Sequence, residues 1–211
     1  MNKGVLFESF NDYSERLNNA LNTVEQYQLD HIHDQIVKRI NTNSSIYVFG
    51  NGGSQANAHH IVGDYIKTFA LAGMKLKISC LADNICYLTA ASNDISYQEA
   101  YSILLGTIIE SNDLLIYLSG SGNSLNLVKC ARNAQLKNIY QVSITSFNGG
   151  ALKDIVDIGV HVKVNDMEIA EDCQLAIFHY IKQKLMNTFS EKFENNFMPK
   201  YNKRTTEDLV S

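Results

Sequence analysis

The feature that most constrains the fold of this chain is an alternation of short apolar runs with longer helical stretches. The apolar runs are rich in β-forming residues and predict strands at 46–49, 75–81, 113–118, 140–145 and 158–164. Helical spacing of apolar side chains predicts helices after the first run to about residue 69, within 93–110 and after the third run to about residue 136. It also predicts a long amphipathic helix at 168–189. The alternation predicts an α/β fold with a doubly wound, mostly parallel five-stranded sheet flanked by helices.

The first 45 residues differ from the region that follows. Apolar residues recur at helical spacing throughout 5–41, and a polar break closes this N-terminal helical pair. The apolar face of these helices needs a partner, so we expect residues 1–45 to form an oligomerisation region. The α/β domain is predicted at 46–190, and a charged, polar C-terminal tail at 191–211.

An aromatic residue recurs every four positions towards the end of the chain, at Phe189, Phe193, Phe197 and Tyr201. Rings at this spacing lie on one face of a helix and are typical of a packing stripe. The rest of the tail is polar, and partial disorder is predicted for it.

Composition excludes several classes of protein. The 211 residues are 45% hydrophobic and 19% charged, so the chain can build a sizeable core. No apolar run approaches the ~18–20 residues of a membrane helix, and the polar N-terminus lacks the apolar core of a signal peptide. The net charge of −4 does not suggest a nucleic-acid surface. We therefore expect a cytoplasmic protein with reduced cysteines and neither a nucleic-acid nor a membrane partner.

Two glycine- and serine-rich loops carry the clearest functional signal. Residues 50–55 follow the first predicted strand, residues 119–124 follow the third, and each loop opens a helix. Glycine lets the backbone approach a ligand, and the N-terminus of a helix attracts an anion. Serine hydroxyls add neutral hydrogen-bond donors. The two loops therefore predict a phosphate or phosphosugar site at the carboxyl ends of the strands.

Neither loop has the spacing of a nucleotide-binding motif. The Gly-Lys-Ser/Thr sequence of a Walker P-loop is absent. Glycines at Gly50, Gly52 and Gly53 do not fit the Gly-x-Gly-x-x-Gly spacing of dinucleotide-binding proteins. No nucleotide cofactor is expected.

Three segments together resemble the sugar isomerase (SIS) domain family: 50–60 with its Gly-Asn-Gly-Gly-Ser start, 92–94 (Ser-Asn-Asp) and 119–124 (Ser-Gly-Ser-Gly-Asn-Ser). The resemblance covers nearly the whole chain and is greatest to the phosphoheptose isomerases, which convert sedoheptulose 7-phosphate to D-glycero-D-manno-heptose 7-phosphate. It implies an isomerase that supplies heptose for lipopolysaccharide or capsule. It also implies a homotetramer with its sites at subunit interfaces.

The resemblance implies a substrate-binding role for particular residues. The second loop would hold the phosphate, although family members often carry Thr where this chain has Gly120. The first loop, together with Asp94, would line the sugar site. The full implied set is Asn51, Gly52, Gly53, Ser54, Asp94, Ser119, Gly120, Ser121, Ser124 and Glu171.

The resemblance also implies a catalytic pair. Asp64 stands where the family has a glutamate, and His179 matches a histidine on the last long helix. The shorter Asp64 side chain reaches about 1.3–1.5 Å less far. Some family members bind zinc, which makes His60, Asp64, Glu171 and His179 candidate Zn²⁺ ligands, with Glu171 replacing a family Gln.

The chemistry of the residues is compatible with aldose–ketose isomerisation. This reaction moves a proton between neighbouring carbons through an enediol, and it needs a base near the carbon and an acid near the oxygens. A carboxylate and an imidazole provide such a pair, and Zn²⁺ would polarise the carbonyl.

Two alternatives stay open. The Asp64 and Glu171 departures favour a non-catalytic SIS module that binds phosphosugars or acts as an adaptor for a replication initiator. The serine loop specifies only a phosphate, so the sequence leaves the length and stereochemistry of the sugar open.

Overall fold

The computed structural model describes residues 9–198 and contains a five-stranded sheet. The strands are β1 (Ile46–Phe49), β2 (Ile78–Cys80), β3 (Leu114–Ser119), β4 (Tyr140–Thr145) and β5 (Ile158–His161). Their order is β2-β1-β3-β4-β5, and each neighbouring pair is parallel. The predicted doubly wound five-stranded sheet is therefore confirmed, and its strands are all parallel.

The two outer strands are shorter than predicted because their partners end. β2 pairs only with β1, whose first residue, Ile46, lies opposite Ile78, so the residues before Ile78 have no strand beside them. β5 pairs only with β4, which ends at Thr145 opposite His161. The predicted ranges 75–81 and 158–164 are thus too long, since an edge strand extends only as far as its neighbour.

Helices cover both faces of the sheet. They are α1 (Phe10–Leu21), α2 (Gln26–Thr42), α3 (Gly52–Leu71), α4 (Ile85–Ala91), α5 (Tyr97–Ile108), α6 (Leu125–Leu136), α7 (Leu152–Ile155), α8 (Met167–Thr188) and α9 (Ser190–Lys192). The segments Ser92–Ser96 and Phe193–Phe197 form π-helical turns. α4 and α7 are not among the predicted helices, because both are too short to show a clear helical period. Within 9–198, no helix is both long and apolar enough to cross a bilayer.

The predicted N-terminal helical pair is confirmed, and a turn separates its two helices. α1 ends at Leu21 and α2 begins at Gln26. Thr23 stabilises the turn, because its hydroxyl donates to the carbonyl of Ala20 at 2.7 Å and accepts from the amide of Lys163 at 2.9 Å. The latter bond ties the turn to the segment after β5.

Part of the predicted C-terminal tail packs on the core. Phe193 and Phe197 are buried, and the Phe193 ring lies edge-on to Phe69 at 5.4 Å between ring centroids. The predicted packing stripe is confirmed for these two rings, whereas Tyr201 lies outside the described residues. The domain boundary at residue 190 stays a prediction.

We expect Phe193→Ala to lower the free energy of unfolding by about 3–5 kcal/mol, because it removes a buried ring and leaves a cavity. Urea denaturation followed by circular dichroism measures this change. Phe10→Ala is the matched control, since Phe10 is 80% exposed. Equal effects of the two substitutions would contradict the packing of the tail on the core.

Candidate functional site

The chain reverses its direction across the sheet between β1 and β3, which are neighbours although β2 lies between them in sequence. In sheets of this kind, ligands bind in the crevice at the carboxyl ends of the strands on either side of the reversal. A cavity of about 280 Å³ lies between the loops after β1 and β3. It is lined by Asn51, Gly52, Gly53, Ser54, Leu118, Ser119, Gly120, Ser121, Ser124, Met167 and Glu171.

The cavity lining contains every residue of the predicted substrate-binding set except Asp94. Asp94 is exposed in the π-helical turn before α5, where it accepts a hydrogen bond from the side chain of Asn93 at 2.8 Å. Tyr97, the first residue of α5, contacts the cavity residue Asn51 instead, because its hydroxyl donates to the Asn51 side chain at 2.5 Å.

Two helix N-termini meet at the cavity. Asn51 is the N-cap of α3 and Ser124 is the N-cap of α6, and neither side chain makes a capping hydrogen bond. Both helices are long enough to carry an appreciable dipole, with 20 and 12 residues. The partial positive charge of each N-terminus therefore favours an anion in the space between them.

The serine loop presents hydroxyl groups to the cavity. The Ser119 and Ser121 hydroxyls accept hydrogen bonds from the amides of Gly122 and Asn123, at 3.1 and 3.2 Å. The hydroxyl hydrogens stay available as donors. Gly122 has a φ of +64°, and a Cβ there would lie 2.0 Å from the carbonyl oxygen of Gly149, so only glycine permits this turn.

Met167 is a cavity residue that the sequence analysis missed. A Cβ at Gly120 would lie 2.4 Å from the sulfur of Met167, which therefore occupies the space that a larger residue at position 120 would need. Met167 is the first residue of α8. It follows a loop and belongs to no motif, so the sequence did not indicate that it lines the cavity.

Glu171 brings a negative charge to the wall of the cavity. A Cβ at Gly53 would lie 2.2 Å from a carboxylate oxygen of Glu171, so the first loop and this side chain are in close approach. Among the described residues that line the cavity, Glu171 is the one with a formally charged side chain. Its charge opposes the binding of an anion between the helix N-termini.

An amide pair fixes the relative positions of the two loops. The side chains of Asn51 and Asn126 donate to each other at 2.9 and 2.8 Å. Asn126 is buried in the first turn of α6, so this pair joins the start of α3 to the start of α6. The sequence analysis missed Asn126, since a polar residue in a first helical turn is common.

A row of hydrogen bonds joins α3 to α8 below the cavity. Gln174 donates to the Ser54 hydroxyl at 3.1 Å, and Asn57 donates to the carbonyl of Glu171 at 2.9 Å. Further along, the buried Tyr65 hydroxyl donates to the carbonyl of Phe178 at 2.8 Å. The two helices are therefore fixed side by side over several turns.

This row of contacts, which we call the α3–α8 seam, brings together three of the four predicted zinc ligands. The Nε2 atoms of His60 and His179 lie 3.3 Å apart. A carboxylate oxygen of Asp64 lies within 4.8 Å of a ring nitrogen of each histidine. Two imidazole nitrogens bound to one tetrahedral Zn²⁺ at about 2.0–2.1 Å would lie about 3.3–3.4 Å apart. The imidazole geometry thus fits the ion. Glu171 lies apart from this group and lines the cavity instead.

Asp64 is held by two ammonium groups. Lys182 donates to one of its oxygens, and Lys67 lies 3.1 Å from the other. Burial raises the pKa of Asp64, but the hydrogen bonds from Lys182 and Lys67 outweigh burial, and the net pKa is below its usual value. Asp64 is therefore an anion at neutral pH, and Lys182 competes with any metal ion for its carboxylate.

Lys182 also acts on His179. Burial lowers the pKa of His179, and the nearby charge of Lys182 lowers it further. His179 is consequently a neutral imidazole at neutral pH, the form that accepts a proton or binds a metal. The sequence analysis missed Lys182, although its place three residues after His179 puts it on the same helix face.

The family model for the SIS domain matches residues 9–146. The chain therefore belongs to the SIS domain family. A probable phosphoheptose isomerase of Thermoplasma volcanium is 29% identical over 170 residues, which cover 81% of this chain and 87% of that protein. A phosphoheptose isomerase of Thermodesulfovibrio yellowstonii is 30% identical over 146 residues, 69% of this chain and 73% of that protein.

Solved structures of phosphoheptose isomerases have a similar fold. The structure of a phosphoheptose isomerase from Francisella tularensis matches with a TM-score of 0.78 and 19% identity, over 83% of this chain and 95% of that one. The predicted resemblance to the phosphoheptose isomerases of this family is confirmed.

We expect Glu171→Gln to bind inorganic phosphate about 3- to 10-fold more tightly, because it removes about 0.7–1.4 kcal/mol of charge repulsion at the cavity. Isothermal titration calorimetry measures the affinity. Glu168→Gln, on the same helix but outside the cavity lining, controls for the change in net charge. Unchanged affinity in Glu171→Gln would show that phosphate binds elsewhere.

We expect Lys182→Met to raise the pKa of His179 towards its usual value, because a cation beside the imidazole disfavours its protonation. A pH titration of the histidine ring signals by NMR measures this shift. Lys184→Met is the matched control, because Lys184 is also on α8 but pairs with Asp30. The proposed effect of Lys182 on the pKa of His179 is wrong if both variants leave that pKa unchanged or shift it equally.

Proposed function

We propose that this protein is a phosphosugar isomerase that interconverts sedoheptulose 7-phosphate and D-glycero-D-manno-heptose 7-phosphate. The observation that carries the proposal is the placing of an anion-binding cavity and a cluster of proton-transfer groups along one pair of packed helices. The cavity has the hydroxyls of Ser119, Ser121 and Ser124 and two helix N-termini, a combination that suits a phosphate monoester.

The spacing along α8 supports a long sugar. Glu171 at the cavity and His179 in the histidine cluster are eight residues apart, which is about 12 Å at ~1.5 Å per residue. An extended seven-carbon sugar with a terminal phosphate spans about 10 Å at ~1.25 Å per carbon–carbon bond. A heptulose 7-phosphate can thus extend from the serine loop towards the histidines, a distance that a triose phosphate is too short to cover.

His179 and Asp64 are the proposed proton carriers. A base removes the proton from the carbon beside the carbonyl, and an acid protonates the carbonyl oxygen to give the enediol. The reverse transfers at the neighbouring carbon complete the isomerisation. Neutral His179 suits the accepting role, and the Asp64 carboxylate is the second carrier once it separates from Lys182.

His60, Asp64 and His179 are the residues that would hold Zn²⁺. The ion would supply polarisation of the substrate carbonyl and charge stabilisation of the enediolate. Glu171 would join the ligand set only if its side chain turned away from the cavity.

Exposed apolar side chains support assembly into the proposed homotetramer. Ile85, Ile95 and Ile103 are 67%, 58% and 41% exposed on the helical layer around α4 and α5. Burial of these side chains between subunits would remove apolar surface from water. We further propose that the protein acts in the cytoplasm and supplies heptose for a surface polysaccharide.

One observation favours a second candidate, a non-catalytic SIS module that binds phosphosugars or a replication initiator. The ion pair between Asp64 and Lys182 lowers the pKa of Asp64 and makes the carboxylate a weaker base. Such a protein would keep the phosphate cavity and lack turnover.

The test is a coupled assay of the purified protein with sedoheptulose 7-phosphate, with and without added Zn²⁺. We expect His179→Ala to lower kcat by about 10²–10⁴, because it removes a proton carrier. Ser124→Ala should mainly raise KM, since its hydroxyl would bind the phosphate in both the ground state and the transition state. His31→Ala, which changes an exposed histidine on α2, is the control.

The outcomes separate the two candidates. Turnover that His179→Ala abolishes and His31→Ala retains supports the isomerase. Calorimetric binding of sedoheptulose 7-phosphate without turnover, in the presence or absence of Zn²⁺, selects the non-catalytic module. Equal turnover in the wild type and His179→Ala would remove His179 from the mechanism.

A further inference from the structure

A second group of metal-ligating side chains lies at the carboxyl end of the edge strand β2. It consists of His59 on α3, Cys80 at the end of β2 and Asp83 in the turn that follows. One potential ligand atom from each residue lies within 4.8 Å of the other two. None of the three lines the phosphate cavity or belongs to the His60–Asp64–His179 group.

We propose that His59, Cys80 and Asp83 form a binding site for a divalent transition-metal ion of the Zn²⁺ type. A thiolate, an imidazole and a carboxylate are donors that Zn²⁺ accepts together, whereas Mg²⁺ and Ca²⁺ prefer oxygen alone. His59 and Asp83 are about half exposed and Cys80 is buried. The ion would therefore enter from solvent, with water as its fourth ligand.

The ligands are already close to the arrangement that the ion needs. His59 Nδ1 lies 2.9 Å from an oxygen of Asp83. A nitrogen and an oxygen bound to one tetrahedral Zn²⁺ lie about 3.3–3.4 Å apart, so the pair must separate by only about 0.4–0.5 Å. Three donors from a helix, a strand end and the segment after it thus lie around one point.

Neighbouring groups orient the sulfur and the carboxylate. The second oxygen of Asp83 accepts the backbone amide of Cys80 at 3.2 Å, and Gln55 donates its side-chain amide to the Cys80 sulfur. Hydrogen bonds of this kind hold ligands in position and are typical of built metal sites. On binding, the Cys80 S–H bond is replaced by a sulfur–metal bond and the proton passes to solvent, with no change in oxidation state.

The proposed ion would act as a cross-link. β2 has three residues and one neighbouring strand, so its carboxyl end has few backbone partners. A metal bridge would join this end to α3. Gln55 extends the link, because its side-chain oxygen accepts a hydrogen bond from the backbone amide of Gly50 at 3.0 Å, in the first loop of the phosphate cavity.

Titration of metal-free protein with Co²⁺ tests the proposal, because a sulfur ligand gives Co²⁺ a charge-transfer band in the near ultraviolet. The His60–Asp64–His179 group has no sulfur and cannot produce this band. We expect one equivalent of Co²⁺ to produce it in the wild type and in His179→Ala. Cys80→Ser should abolish the band, and Cys86→Ser should retain it, since Cys86 is an exposed cysteine outside the group.

A second variant keeps the test decisive if Cys80→Ser fails to fold. His59 is exposed, so His59→Ala should fold normally, and we expect it to weaken the band-forming site by at least about tenfold. Absence of the band in the wild type, or unchanged Co²⁺ affinity in His59→Ala, would overturn the proposal. So would a band that survives in Cys80→Ser and is lost in Cys86→Ser.

Discussion

The meeting of two helix N-termini at the centre of the parallel sheet is the constraint on which the site depends. α3 follows β1 and α6 follows β3, and these strands are neighbours because the strand order reverses between them. Neither N-cap side chain accepts a hydrogen bond from an amide of its own helix. The positive ends of both helix dipoles therefore act on one small cavity. The tight turn at Gly122 and the Asn51–Asn126 pair keep the two ends together.

The seam between α3 and α8 sets the distance between the cavity and the histidine cluster. Hydrogen bonds from Gln174, Asn57 and Tyr65 fix the register of the two helices. The helices carry Ser54 and Glu171 at one end and the His60–His179 contact two turns further on. Because both helices are continuous over this span, the distance between the cavity and the histidines is set by helix geometry.

Charge is arranged differently at the two ends of the α3–α8 seam. Asp64 is balanced by Lys182 and Lys67, whereas the Glu171 carboxylate faces a cavity that favours anions. α3 also carries two adjacent histidines with different partners: His60 meets His179 on α8, and His59 meets Asp83 beyond β2. Consecutive helical residues point about 100° apart, so one helix serves two separate groups of potential ligands.

The sequence by itself determined the α/β class, the five strands and the two small-residue loops, because strand burial and glycine–serine turns are local patterns. It also identified the residues of the cavity apart from Leu118 and Met167, whereas the predicted Asp94 lies outside the cavity lining. Only the tertiary structure decided which groups meet: Lys182 with Asp64, Glu171 with the first loop, and His59 with Cys80 and Asp83. These contacts join residues far apart in the chain through helix register and strand ends, which periodicity along a single segment does not encode.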